Sequence, residues 1–316
     1  MSAEGGTKAV VAALLANLGI ALTKFLAFLL TRSASMLAES IHSVADATNQ
    51  VLLLVGKKRS ERAATPLHPF GYGRERYIYA FIVSIVLFSL GGLFALYEAW
   101  HKYSHPEPID EWQWVPVAVL VVAIVMESFS LRTAVVESNA VRGSASWWGF
   151  IRHARSPELP VILLEDLGAL FGLVFALFGV SMTLITGDSV WDAVGTAMIG
   201  VLLVTIAIVL AIETKSLLIG EAATPEHEKA IQQAVTSVAG IERVIHMRTL
   251  HLGPDELLVA AKIGIGRGLS AQDVSEAIDT AEQRVRTAVP IARVIYLEPD
   301  IYRDVEATTP ASAMEG

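Results

Sequence analysis

Long apolar runs fill the first two thirds of this chain and limit its fold more than any other feature of the sequence. A helix needs about 20 mostly apolar residues to cross the hydrocarbon core of a bilayer. Six segments reach that length, some with polar positions inside them: 8–30, 36–56, 77–100, 113–136, 159–186 and 190–215. We therefore predict an all-α bundle of six transmembrane helices over residues 8–219.

The composition agrees with a membrane protein and removes several functional classes. Of the 316 residues, 53% are hydrophobic and 18% are charged, whereas soluble domains contain about 25% charged residues. The formal charge of −8 and the pI near 5.5 give no reason to expect nucleic acid as a partner. There are no cysteines, which excludes disulfides and thiolate ligands, so a metal ion must be bound by His, Asp, Glu, Asn or backbone groups.

Lysines and arginines are concentrated in alternate loops, which indicates how the chain is oriented. Basic residues in short loops mark the cytoplasmic side of a membrane protein. The loops that alternate with the basic ones contain only Arg32 and Lys102. The basic residues follow the second, fourth and sixth segments: Lys57, Lys58, Arg59, Arg62, Arg74, Arg76, Arg142, Arg152, Arg155 and Lys215. We predict a multi-pass protein of the cell membrane with both termini in the cytoplasm.

Residues 220–302 have the pattern of an ordinary soluble sequence and predict a small cytoplasmic α+β domain. A Thr-Pro pair and a serine are typical helix starts, and a Gly-Pro-Asp turn between two strand-like runs predicts a hairpin. The expected order is αββαβ, a ferredoxin-like arrangement with helices on one face of a sheet. Its elements are predicted at residues 224–240, 243–252, 257–265, 270–289 and 291–298, followed by a disordered tail over 303–316.

The second apolar segment contains four polar residues, Glu39, His42, Asp46 and Asn49, spaced three, four and three apart. This spacing places all four on one stripe of a helix. Ionisable groups inside a membrane are costly and usually functional. His42 and Asp46 lie one turn apart, which is close enough to bind one ion together. The alternative is a polar stripe that packs helices through hydrogen bonds.

The fifth segment contains the adjacent carboxylates Glu165 and Asp166. Neighbouring residues on a helix point about 100° apart, so either one of them faces an ion and the other a partner helix, or both reach the ion obliquely. Gly168 and Gly172 follow at a small-xxx-small spacing that permits close helix approach. We expect this helix to pack tightly against the second segment.

Together these residues offer one imidazole and up to three carboxylates to a single ion. Zinc accepts nitrogen and oxygen ligands, usually four in a tetrahedron. The imidazole favours zinc, with iron, cobalt or nickel as alternatives, whereas a pure oxygen set would favour magnesium, calcium or manganese. We predict a divalent metal site near the middle of the membrane, where access from both sides can operate.

Two motifs resemble signatures of the cation diffusion facilitator family. Residues 35–50, SMLAESIHSVADATNQ, are similar to its second transmembrane helix, and residues 68–75, HPFGYGRE, are similar to its next signature. The resemblance extends over about residues 8–302. It implies six helices, cytoplasmic termini and a metallochaperone-like tail. It also implies a homodimer that exchanges Zn²⁺ for protons and exports it from the cytoplasm, with Fe²⁺, Co²⁺, Ni²⁺ or Mn²⁺ as alternative substrates.

The chain departs from the common pattern of that family at the site. Zinc-transporting members often have Asp-xxx-Asp on the second helix and His-xxx-Asp on the fifth. Here the second helix has His42-xxx-Asp46, and Ile162 stands where the fifth-helix His would be. The arrangement resembles a divergent subgroup of the zinc transporters. We predict His42, Asp46 and Asp166 as metal ligands, with Glu165 and Asn49 as candidates for the fourth. Glu165 could instead pair with Lys24 on the first helix.

Two further metal sites of the family look incomplete in this chain. Of the site before the third helix only His68 remains, with Thr65 and Tyr72 at the other positions, so we predict that this site is lost. In the tail, Ala261 and Tyr296 replace the ligand histidines. Nearby polar residues are interpreted as polar surface or sheet edge: His246, His251 and Glu298. The tail is expected to serve dimerisation or regulation.

Two rival functions differ in class from an antiporter. A cation channel would place rings of ligands along a pore, and the sequence offers one cluster. A membrane metalloprotease would need a motif such as His-Glu-x-x-His, and the sequence contains none. We therefore predict no enzymatic activity and no cofactor. The partners expected are a divalent metal ion as substrate, protons, the lipid bilayer and a second copy of the chain.

Overall fold

The computed structural model describes residues 2–31, 34–105 and 114–301. The contacts between residues divide the chain into two compact units, Met1–Ile219 and Gly220–Gly316. The first unit is helical and the second contains a three-stranded sheet. Residues 302–316, which include the segment predicted to be disordered, lie outside the described residues.

The first unit consists of helices, most of them long. The seventh helix begins after a short loop that follows the sixth, which is only seven residues long. The helices are α1 Ser2–Thr31, α2 Ala34–Ser60, α3 Glu75–Val86, α4 Phe94–Ser104, α5 Trp114–Arg142, α6 Trp147–His153, α7 Glu158–Thr186 and α8 Val190–Ile219. A π-helical stretch, Leu87–Leu93, joins α3 to α4, so Glu75–Ser104 is one continuous passage.

Five of these passages are long and apolar enough to cross a membrane. They are Thr7–Leu26, Glu75–Ser104, Trp114–Arg142, Glu158–Thr186 and Val190–Ile219. The remaining predicted span, α2, is a helix of 27 residues whose polar positions lower its mean hydropathy. Large apolar side chains are exposed along the outside of the bundle, for instance Ile185 at 78% and Phe129 at 65%. Such a surface is suited to lipid, and the membrane part of the predicted fold class is confirmed.

Glycines of α7 face α8, and the expectation that they pack against α2 is wrong. A methyl group on Gly168 would lie 2.6 Å from Ile206 Cδ1, and the nearest neighbour of Gly172 is Ile199 at 3.6 Å. Further along, a methyl group on Gly179 would lie 2.9 Å from the Trp191 carbonyl oxygen. Small residues let two helix backbones approach closely, but their spacing does not say which neighbour approaches.

The second unit has the predicted αββαβ order. Helix α9, Pro225–Thr236, precedes a hairpin of β1, Ile241–Gly253, and β2, Glu256–Ile265, and is followed by α10, Ala271–Ala288, and β3, Ala292–Asp300. The strand order is β1-β2-β3, with β1 antiparallel and β3 parallel to β2. Apolar residues of the central strand, such as Val259 and Ile263, are buried with Ile231 of α9 and Val285 of α10. Both helices thus contribute to one core, as predicted.

Side-chain caps start both helices of this unit where the sequence predicted. The Thr224 hydroxyl accepts a hydrogen bond from the His227 N–H at 3.3 Å. At α10, Ser270 and Asp273 form a reciprocal capping box, in which each side chain accepts a backbone N–H of the other residue. Such caps satisfy N–H groups that have no partner inside the helix. The local sequence therefore determines where these helices begin.

Candidate metal centre

Polar side chains from four helices meet inside the membrane unit. Each of them is at most 7% exposed, although helices α1, α5 and α7 are otherwise strongly apolar. They are Asn17 and Lys24 on α1, Asn49 and Gln50 on α2, Glu127 and Ser130 on α5, and Glu165 and Asp166 on α7. We refer to these eight residues, with the half-buried Asp46 of α2, as the polar cluster.

Glu165 is bound by two amide side chains of α2. Asn49 Nδ2 donates a hydrogen bond to Glu165 Oε1 at 2.8 Å, and Gln50 Nε2 donates to Glu165 Oε2 at 3.0 Å. Gln50 Oε1 in turn accepts from Asn17 Nδ2 of α1 at 3.3 Å. These polar side chains link α1, α2 and α7 in one network, although the glycines of α7 pack against α8 and not against α2.

Asn49 has an oxygen that this network does not use. Its Nδ2 faces the Glu165 carboxylate, which accepts hydrogen bonds while it is ionised. Its Oδ1 is buried and accepts no hydrogen bond from any described residue. A buried polar atom without a partner costs about 1–3 kcal/mol. Oxygen ligands of this kind bind divalent cations, so Asn49 Oδ1 is available to a metal ion.

Asp166 lies beside Glu165 but contacts a different helix. Ser130 Oγ of α5 donates to Asp166 Oδ2 at 2.7 Å. Asp46 lies one turn before Asn49 on α2, and Glu127 lies one turn before Ser130 on α5. The adjacent carboxylates of α7 therefore contact different partner helices, and which of them faces an ion stays a prediction.

His42 is the predicted ligand that the structure leaves untested. Its backbone belongs to α2, but its side chain and that of Glu39 are outside the described part of the structure. Among the residues that are described, no group of three His, Asp or Glu side chains is close enough to bind one ion. The predicted ligand set therefore stays a prediction: His42, Asp46, Asp166, Glu165 and Asn49. Within it, Asn49 contacts Glu165, Asp166 is the next residue on α7, and Asp46 lies one turn before Asn49 on α2.

Sequence reasoning missed the contribution of α5. Glu127 and Ser130 belong to a buried stripe that also includes Val119, Ala123 and Ala134. A carboxylate within an apolar run was a sufficient signal, because ionisable residues inside a membrane are rarely without function. Glu127 was not predicted because the residues of the second and fifth segments already supplied a full set of ligands.

The loop before α3 brings together the three residues at the incomplete second site. The His68 ring lies 4.7 Å from the Tyr72 ring, and Thr65 Oγ1 is 3.4 Å from the Tyr72 hydroxyl. Backbone hydrogen bonds of 3.0 and 3.1 Å also join Thr65 and His68. Thr65, His68 and Tyr72 therefore contact one another in this loop, and the loss of the second metal site stays a prediction.

The tail residues differ in their surroundings. Lys262 Nζ lies 3.3 Å from Glu298 Oε1 and 3.0 Å from Asp300 Oδ2, and these contacts raise the pKa of Lys262. His246 and Glu298 are exposed, as predicted. His251 is 1% exposed, and its Nδ1 lies 3.3 Å from the Gly253 carbonyl oxygen. His251 is not polar surface, because its ring is enclosed beside the hairpin turn, but it does lie on an edge strand of the sheet, β1, as the alternative had it.

The two units match two parts of one family. Residues 10–219 match the family described as the cation efflux transmembrane domain, and residues 223–300 match the cation efflux protein, cytoplasmic domain. The chain belongs to the cation efflux family. The predicted resemblance to cation diffusion facilitators is thereby confirmed, as is the α+β fold of the tail.

Several curated proteins are similar to this cation efflux protein. It is 30% identical to the human "Proton-coupled zinc antiporter SLC30A9, mitochondrial" over 262 residues. The match covers 82% of this chain and 46% of the relative. It is 27% identical over 270 residues to Metal tolerance protein C4 of Arabidopsis thaliana, covering 84% and 58%. Uncharacterized transporter MJ0449 of Methanocaldococcus jannaschii is 20% identical over 93% of this chain and 98% of its own. The chain thus spans about half the length of the first two relatives.

Proposed function

We propose that this chain transports divalent metal cations, zinc first, and exports them from the cytoplasm in exchange for protons. Membership of the cation efflux family supports transport, and the printed name of the human relative supports both zinc and proton coupling. Fe²⁺, Co²⁺, Ni²⁺ and Mn²⁺ are the alternative substrates for the same mechanism. The chain has no enzymatic role in this proposal, and the metal ion is its substrate and not a cofactor.

The polar cluster is the proposed transport site. His42, Asp46 and Asp166 are the proposed ligands, and Asn49 Oδ1 or a Glu165 oxygen completes the set. The observation that supports this most is the buried pair of Glu165 and Asp166 beside an Asn49 oxygen without a hydrogen bond. Burying ionised carboxylates is costly unless an opposite charge lies nearby. A divalent cation bound here would supply that charge.

Proton coupling follows from the chemistry of these ligands. Imidazole and carboxylates bind a metal ion in their deprotonated forms, so metal binding releases protons. An unperturbed histidine has a pKa near 6.5, which makes His42 the natural carrier at physiological pH. Release of the metal ion on the far side would allow the same groups to take up protons. One site would then alternate between a metal ion and protons.

Topology and assembly complete the proposal. The basic loops favour cytoplasmic termini in a multi-pass membrane protein. The match of residues 223–300 to the family's cytoplasmic domain supports a homodimer in which the tails meet. We also propose that the tail binds no structural zinc tightly. Ala261 and Tyr296 offer no imidazole, and the nearby carboxylates of Glu298 and Asp300 form ion pairs with Lys262.

Counterflow uptake into liposomes is the experiment that tests this function. Purified protein is reconstituted with a pH-sensitive dye inside, and uptake is measured for Zn²⁺, Fe²⁺, Co²⁺, Ni²⁺, Mn²⁺ and Ca²⁺. We expect saturable zinc uptake accompanied by proton movement in the opposite direction. Uptake that is fast, unsaturable and independent of a proton gradient would favour the channel. Absence of uptake for every metal would reject metal transport.

A further inference from the structure

The short helix α6 connects two passages that are long and apolar enough to cross a membrane. Trp114–Arg142 ends shortly before it, and Glu158–Thr186 begins shortly after it. Its cap, Ser146, accepts a hydrogen bond from the Gly149 N–H at 3.0 Å. Phe150 is 6% exposed and belongs to the apolar core that α7 shares. Because both passages end beside it, α6 lies at the level of one membrane surface.

Two tryptophans occupy the outer side of α6. Trp147 and Trp148 are 38% and 56% exposed, whereas Phe150 and Ile151, which follow them, are buried. The helix is therefore amphipathic, with one side in the core of the bundle and the other bearing large aromatic rings. Tryptophan is enriched where a membrane meets water, because its ring is apolar and its N–H can form a hydrogen bond. The outer side of α6 is thus suited to the depth of the lipid headgroups.

An arginine accompanies each of these rings. The guanidinium carbon of Arg142 lies 4.4 Å from the centre of the Trp147 ring. That of Arg152 lies 6.0 Å from the centre of the Trp148 ring, and the Arg152 side chain is 50% exposed. Arg142 also donates hydrogen bonds to two nearby oxygens, which hold its guanidinium group in place. The aromatic side of α6 is therefore also a cationic one.

Few negative charges oppose these arginines. Residues 138–157 contain three arginines and no Asp or Glu. Within the part of the chain that the structure describes, Arg142 forms no ion pair, and Arg152 lies 3.2 Å from Glu213 Oε1 of α8. A cationic surface with exposed rings complements anionic headgroups, which are present in the cytoplasmic leaflet. A second copy of the same surface would be repelled, because like charges would meet.

We propose that α6 binds anionic phospholipid headgroups of the cytoplasmic leaflet through Arg142 and Arg152, with both tryptophans among the headgroups. A guanidinium group suits this role because its planar N–H donors match the oxygens of a phosphate. Stacking on the rings holds the two guanidinium groups in place before a lipid arrives, which lowers the entropy lost on binding. Only the choice of leaflet depends on the proposed topology.

Quenching of tryptophan fluorescence by brominated lipids tests this on the full-length protein in vesicles. Brominated phosphatidylglycerol is compared with brominated phosphatidylcholine, and the signal of α6 is the part lost in Trp147→Phe/Trp148→Phe. We expect α6 to select the anionic lipid by about threefold or more. Arg142→Gln/Arg152→Gln keeps the tryptophans and should remove most of this preference. Raising the salt concentration should also lower the preference in the native protein, because salt screens the attraction between exposed charges.

Arg267→Gln/Arg293→Gln is the matched control, because it removes the same formal charge from exposed arginines of the tail. Its preference for the anionic lipid should equal that of the native protein. Equal quenching by the two lipids in the native protein would overturn the proposal, and so would a preference that survives Arg142→Gln/Arg152→Gln. Absence of quenching by either lipid would show that a protein surface covers α6, which also rejects the proposal.

Two further measurements keep the outcome clear. If Arg142→Gln/Arg152→Gln does not fold, Arg152→Gln replaces it, since that side chain is half exposed. The salt dependence needs no variant, and a preference that does not change with salt contradicts the proposal. Zinc uptake by the same vesicles reports on the proposed function separately. Its absence would reject metal transport and leave the result for the lipid as measured.

Discussion

Both units of this protein have an apolar core, but their interiors differ in polar content. The tail encloses a core of apolar residues from both helices and the central strand, and its buried histidine, His251, is an exception beside a turn. The membrane unit exposes large apolar side chains on its outside and encloses carboxylates, amides and a lysine among four helices. In each unit the exposed surface matches the surroundings expected for it, water for the tail and lipid for the helices.

This difference separates what stabilises the protein from what serves its function. Burial of apolar surface stabilises the tail, because the unfolded chain would expose that surface to water. Apolar side chains gain little by leaving lipid, so helices in a membrane associate through close packing and polar contacts. Polar groups in the tail core would be a defect, whereas in the membrane unit they are concentrated where α1, α2, α5 and α7 meet. Substitutions in the two interiors should therefore have different consequences.

The largest expected effect is loss of transport when a carboxylate of the cluster is removed. Asp46→Ala and Asp166→Ala should each abolish zinc uptake into liposomes, because each removes a carboxylate of the proposed ligand set. Both variants should still insert into the membrane and elute as the native oligomer in size-exclusion chromatography. Native rates of uptake in either variant would show that the transport site is elsewhere.

Replacement of Glu165 should have the next largest effect. Glu165→Gln removes a charge that two amides of α2 now bind, and zinc binding should weaken strongly. Glu165→Ala combined with Ile162→His should restore part of the uptake, since the imidazole would lie one turn before Asp166. Lys24→Met tests whether Glu165 binds the metal ion or pairs with Lys24. If it reproduces the loss seen in Glu165→Gln and the added histidine restores nothing, Glu165 pairs with Lys24 and does not bind metal.

The sequence predicted the helices and strands better than it predicted which of them pack together. Apolar length and the capping residues at Thr224 and Ser270 act locally, so the order of helices and strands could be read from them. The helix that packs against α7 could not be read in this way, because Gly168 and Gly172 permit close packing against any helix; in the structure they pack against α8. Gln50 and Ser130 were missed for a similar reason, since a neutral polar residue acquires its role from the helix that it faces.

The tail core should respond in stability alone. Ile263 of the central strand is fully buried in the apolar core to which both helices contribute. Ile263→Ala should lower the free energy of unfolding of the tail by about 2–5 kcal/mol, as large-to-small core substitutions do. Urea unfolding of residues 220–301, followed by circular dichroism, measures this. Zinc uptake per folded molecule of the full chain should stay at the native value, and a specific loss of uptake would show that the two interiors are coupled.

The smallest expected effect concerns the capping box of α10 and depends on pH. Hydrogen bonds from the Ser270 hydroxyl at 2.7 Å and the Ser270 N–H at 2.9 Å lower the pKa of Asp273. In the unfolded chain an aspartate has a pKa near 3.9, so the folded tail binds fewer protons in the range between the two values. The contribution of Asp273 to stability is therefore complete above the unfolded pKa and is lost as the pH falls through the folded one.

Asp273→Asn should accordingly lower the urea midpoint of the tail at pH 7 and make the midpoint less dependent on pH below about pH 4, the unfolded value. Asp279→Asn is the matched control, because it removes an exposed carboxylate from the same helix without touching the cap. Midpoints measured from pH 7 to pH 3 for both variants and the native tail decide the matter. The prediction requires the two variants to differ, since only Asp273 has its ionised form stabilised by the first turn of the helix. If both change the midpoint in the same way, the effect comes from the net charge of the tail, and the capping box contributes nothing that depends on pH.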